Sequence, residues 1–186
     1  MAELHTTLYI QHSQENIHTA LKNLFPSIND KTEPQRDTFA ADLVARAAAL
    51  NPGQGQALAE ALCSAVGTEW GHAIDLMNEL AAETRGSRHG WHWWHFVHGS
   101  RGDDIMGAIV AFVGALCPGV DVRACLCGDD DPWEIFYRWE NGALVQQYYE
   151  PDYDETELPP VYLWWHEGLP DNIQEGLIHS WREDDA

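Results

Sequence analysis

Residues 133–149, WEIFYRWE-NG-ALVQQYY, constrain the fold more than any other segment. Aromatic and branched residues alternate with polar ones before Asn141-Gly142, and a second β-prone run follows it. A two-residue Asn-Gly loop accepts positive φ at both positions, and its twist matches that of an antiparallel strand pair. The chain must therefore contain a hairpin here. A lone hairpin is marginal in water, so this one must belong to a larger sheet with at least one covered face.

Three further segments read as strands: 4–10 (LHTTLYI), 91–98 (WHWWHFVH) and 120–127 (VDVRACLC). Helical spacing begins after Ser13, with Ile17, Leu21, Leu24 and Phe25, and stops at Pro26. It returns over 38–50, 55–66 and 69–83, the last placing Trp70, Ile74, Met77 and Leu80 on one face. The run IMGAIVAFVGALC is apolar on nearly every side, which predicts a central helix. Asp103 or Asp104 is placed to cap its start, and Pro118-Gly119 to end it. SINDKTEPQRD and TRGSRHG read as loops, VYLWW as a short strand-like piece, and 171–181 as a last helical segment. This order predicts an α+β fold: an antiparallel sheet with a split β-α-β, ferredoxin-like pattern, helices on one face and a helical insertion. The core would be 4–25 and 91–149, the insertion 38–83 and a C-terminal extension 158–186, all within a single domain 1–186.

Charge narrows the function classes. Thirty acidic against ten basic residues give −20, and only two lysines occur. From Asp121 onward there are 17 acidic and 3 basic residues. Phosphate binding needs clustered Lys and Arg, so direct nucleic-acid binding is excluded as an expectation. No apolar stretch is long enough for a membrane-spanning helix. The N-terminal MAELHTTLYIQHSQE lacks the basic and apolar regions of a signal peptide, which predicts a cytoplasmic chain. Its four cysteines, Cys63, Cys117, Cys125 and Cys127, are then expected as reduced thiols, Cys63 and Cys117 buried in helices.

Candidates for chemistry are few. His92, His95 and His98 supply three imidazoles, enough for a catalytic zinc site. On a strand, however, His95 faces away from the other two. Cys125-x-Cys127 has the wrong spacing for a zinc knuckle and lies on a strand, not at the helix N-terminus that activates redox thiols. Ser100 in HGSRG lacks a nucleophile elbow. Asp152-x-Asp154 lacks the glycine and glutamate of a calcium loop. The expectation is no enzyme, no cofactor and no metal.

What stands out is acid beside aromatics. Asp129, Asp130 and Asp131 precede Trp133, and Glu150, Asp152, Asp154, Glu155 and Glu157 follow Tyr149. Exposed tryptophan beside charge is typical of interface hot spots, and opposite fields steer association. In size, charge and the segment DDDPWEIFYRWENGALVQQYYEPDYDETE, the chain resembles small acidic bacterial toxin-immunity proteins and phage- or plasmid-encoded inhibitors with a ferredoxin-like domain. That resemblance implies an inhibitor, in some cases a DNA mimic, that blocks a basic nucleic-acid-binding surface of a toxin or nuclease-type effector. The partner-binding residues would be those eight carboxylates with Trp133 and Tyr149. The competing reading is a metal-dependent enzyme built on His92, His95 and His98.

Overall fold

The strands expected at 4–10, 91–98, 120–127, 133–140 and 143–149 pair in a single antiparallel sheet in a computed structural model. It describes residues 4–11, 23–25, 33–67, 85–86, 91–98, 102–128, 133–150 and 157–169. The elements are β1 (Leu4–Gln11), α1 (Glu33–Leu50), α2 (Gly55–Val66), β2 (Arg85–Gly86), β3 (Trp91–His98), α3 (Gly102–Leu116), β4 (Asp121–Gly128), β5 (Glu134–Glu140), β6 (Ala143–Tyr149) and α4 (Pro160–His166). They fall into two compact units, Met1–Pro151 and Asp152–Ala186.

In the first unit the strand order is β2-β3-β1-β4-β5-β6. β3 and β4 each run antiparallel to β1, hence parallel to each other, and α3 links them with β1 lying between. That is the split β-α-β expected from the sequence, within an α+β fold compatible with a ferredoxin-like arrangement. β5 and β6 then extend the sheet as a meander. Asn141 and Gly142 both take positive φ (52° and 80°), the two-residue hairpin geometry that the Asn-Gly pair favours.

α1, α2 and α3 stack on one face of the sheet. α3 packs on β1, β4, β5 and β6, α2 packs on α3, and α1 packs on α2. Alternation in the strands supplies the matching apolar face. Leu4, Leu8 and Ile10 of β1, Val122, Ala124 and Leu126 of β4, and Ile135 and Tyr137 of β5 are buried and aligned in register. Ile105, Met106, Ile109, Val110, Phe112 and Val113 of α3 are buried among them, as the apolar character of that helix demands. Two glycines let α3 approach: a Cβ at Gly107 would come within 3.2 Å of the Tyr137 ring, and one at Gly114 would collide with the indole of Trp139.

Thr6 interrupts this face. It is fully buried between apolar rows, and its Oγ1 has no hydrogen-bond partner among the described residues. An unpaired buried hydroxyl costs about 1–3 kcal/mol, while an isosteric methyl costs nothing in polarity. Thr6→Val is therefore expected to raise stability by about 1 kcal/mol. Chemical denaturation checks this, and an unchanged or lower midpoint at equal slope would contradict it.

Several boundaries differ from the sequence reading. α1 starts at Glu33, inside the stretch read as a loop, because Pro34 stands in its first turn, where its missing N–H is no loss and its φ suits a helix. α3 starts at Gly102, which puts Asp103 and Asp104 in the first turn instead of at the cap. Arg85–Gly86, also read as loop, pairs with β3. The larger correction is VYLWW, which forms helix α4 and not a strand piece. Pro159 is extended (φ −60°, ψ 149°) and Pro160 opens the helix, so the Pro-Pro pair sets a helix start that β-rich composition alone conceals. Trp164 and Trp165 thus point about 100° apart around a helix: Trp165 is fully buried and Trp164 half-buried. The expected helical segment between Ser13 and Pro26 is described only at 23–25, where Asn23 and Leu24 are helical and Leu24 and Phe25 are buried; those at 69–83 and 171–181 lie outside the described residues.

Candidate functional site

The hairpin turn at Asn141-Gly142 closes one end of β5 and β6. At the opposite end Glu134 pairs with Tyr149. Trp133 enters the sheet there and Glu150 leaves it.

Trp133 shapes this end. A Cβ at Gly128 would lie 3.0 Å from Trp133 Cε2, so the last residue of β4 must be small for the indole to lie across it. The half-buried indole packs against the core and stacks on Tyr148, with centroids 6.5 Å apart and planes at 20°. Ile135 pairs with Tyr148, so the ring of Trp133 reaches Tyr148 along the diagonal of the same face. Tyr148 is 59% exposed, and Glu150 beyond it is exposed as well. The result is an aromatic pair anchored on the core through Trp133, open to solvent through Tyr148 and neighboured by the exposed Glu150.

Of the expected partner-binding residues, Trp133 and Glu150 belong to this surface. Tyr149 is half-buried and takes the opposite face of the sheet, across from Glu134. The exposed ring is Tyr148, which the sequence reading passed over. In a Tyr-Tyr pair only the register of β6 decides which ring meets Trp133. Asp129, Asp130, Asp131, Asp152, Asp154 and Glu155 lie outside the described residues. Glu157 is exposed in the second unit.

The opposite face of the sheet buries Tyr9, Arg123 and Phe136. Arg123 is only 1% exposed, and its guanidinium grips Asp121 through two hydrogen bonds, Nε to Oδ1 at 2.8 Å and Nη2 to Oδ2 at 2.6 Å. Arg138 Nε contacts Glu140 at 3.0 Å. Register also aligns His5, Cys127 and Glu134 in one cross-strand row, a juxtaposition hidden from sequence by the long separation of β1 from β4. All three are half-buried and engaged in other interactions.

The thiols are poor nucleophiles where their ionisation is perturbed. Burial pushes Cys117 up to about 11 and raises Cys125 well above the ordinary thiol range, with Glu134 and Cys127 adding to the latter. Burial also raises Cys63, half-buried in α2 and not fully buried as expected. These thiols stay protonated at neutral pH. His92, His95 and His98 do lie on a strand, opposite Ile10, Thr7 and Leu4. Ser100 lies outside the described residues. Among the described residues no group of three His, Cys, Asp or Glu could hold a metal ion, and no helix is long and apolar enough to cross a membrane.

In the second unit α4 carries its own polar feature. His166 Nδ1 lies 2.6 Å from the Tyr162 carbonyl oxygen, which places a proton on Nδ1. The imidazole stacks on Tyr162 (5.7 Å, 13°) and meets Trp165 edge-on (5.2 Å, 80°). These contacts hold a short helix together internally.

Compared with family models, with curated proteins and with solved structures, the chain matches none.

Proposed function

We propose that this protein is a cytoplasmic, acidic protein-binding inhibitor, of the toxin-immunity or anti-defence kind, that blocks a basic surface of its target. The observation that carries this reading is the Trp133–Tyr148 stack, with Tyr148 exposed and the exposed Glu150 beside it at the end of the sheet. An aromatic anchor gives affinity, and surrounding carboxylates give steering and register. The net charge of −20 makes a basic partner the natural complement. Within the first unit, the binding residues are Trp133, Tyr148 and Glu150, together with Asp129, Asp130 and Asp131.

The test is capture of one basic partner whose retention falls between ~50 and ~500 mM salt, as screened charge contacts require. Reversal of Asp129, Asp130 and Asp131 to Lys is expected to slow association about tenfold or more and leave dissociation nearly unchanged. Unaltered association kinetics would remove this turn from the interface. Stoichiometric zinc or nickel in protein purified without a His tag would count for the metal-enzyme reading instead.

A further inference from the structure

We infer that the Trp133–Tyr148 pair is a seat for an arginine side chain of the partner. This rests on the binding reading above and sharpens it, from a basic surface to one kind of anchoring residue.

The geometry selects for a flat cation. Tyr148 has one face against the indole of Trp133 and is 59% exposed, so its ring offers a π surface to solvent. Gly128, having no Cβ, lets the indole of Trp133 lie close against the end of β4. Ring faces carry negative potential, and Glu150, exposed two positions beyond Tyr148, adds a carboxylate within a long side chain's reach. A guanidinium is planar and weakly hydrated. It can stack on a ring while its edge N–H groups meet a carboxylate. A lysine ammonium is compact and strongly hydrated, so it gains less from the same surface.

The protein's own cations on these strands do not fill the role. Arg123 is committed to Asp121, and Arg138 to Glu140, in both cases two residues along the same strand. Glu150 thus supplies the negative charge beside the pair, and Tyr148 keeps its exposed surface.

Titration calorimetry on the full chain, with blocked hexa-arginine and hexa-lysine peptides as probes, tests this. Both peptides are expected to bind with salt-sensitive affinity, and hexa-arginine about three- to fivefold more tightly, the range of an exposed cation–π contact. Tyr148→Ala should abolish that preference, Tyr148→Phe should keep it, and Glu150→Gln should weaken both peptides. Tyr148 is exposed, so the substitutions leave the core intact, and circular dichroism confirms it. Equal affinity for the two peptides, or a preference that survives Tyr148→Ala, would overturn the arginine seat while the basic-partner reading stands. Failure of both peptides to bind at low salt would overturn the seat together with the acidic-surface reading beneath it.

Discussion

Gly55→Ala is expected to destabilise the protein by about 3 kcal/mol, at the upper end of what overpacking costs. Gly55 is buried at the start of α2, where that helix meets α1. A Cβ there would be driven into the Ala47 carbonyl and would lie 2.9 Å from the Ala48 nitrogen. These are backbone atoms of a hydrogen-bonded helix, so no rotamer change can make room. Alanine is the better helix former by about 1 kcal/mol in a helix interior, but at the first helical position that advantage is small. Steric cost therefore decides the sign. Stability of this size is a large fraction of the 5–15 kcal/mol typical of a domain. Urea denaturation should show a much lower midpoint, and a variant as stable as the parent would mean that α1 and α2 separate easily. Such a result would undo the close helix crossing.

Gly114→Ala is the second large effect, about 2 kcal/mol, and its mechanism can be isolated. The glycine is buried in α3, and a Cβ there would collide with the Trp139 indole, with Cδ1 only 2.6 Å away. Here the obstacle is a side chain. Removing it with Trp139→Leu should cost stability on its own, because the indole packs against the core. In that background, however, Gly114→Ala should become neutral or stabilising, since only the helix propensity term is left. A double-mutant cycle reads the coupling directly. Additive effects would show that the indole does not lie over Gly114. Gly55 and Gly114 thus make opposite claims: one clash a partner mutation relieves, the other it cannot.

Neither glycine is distinguished in the sequence. Gly55 reads only as the first residue of the helical segment 55–66, just after Asn51-Pro52-Gly53, and Gly114 as one small residue inside an apolar helix. Their meaning comes from what lies opposite in space. Trp139 illustrates the same point from the other side. Its strand position is plain from alternation, but its partner is a residue 25 positions earlier on a helix.

Local patterns determined a good deal by themselves. The Asn141-Gly142 hairpin, the strand at 91–98, the buried central helix and the alternation in β1 and β4 all follow from periods of two or 3.6 residues and from turn chemistry. The acidic character of the last third needs no structure either. VYLWW shows where such patterns fail. Five β-prone residues were outweighed by the two prolines before them, because proline sets φ and supplies no donor for a ladder.

Tertiary structure decided three things that local periodicity does not encode. Strand order placed β1 between β3 and β4, which creates the split β-α-β and the row of His5, Cys127 and Glu134. Register in β6 turned Tyr148, and not Tyr149, toward Trp133. Antiparallel pairing also brought the start of β5 beside the end of β6, so Trp133 and Glu150, separated in the chain, lie at one end of the sheet. The physical reason is common to all three. A strand's own sequence dictates which residues share a face, whereas its neighbours and its offset against them are settled by non-local hydrogen bonds and by the burial of a shared apolar layer.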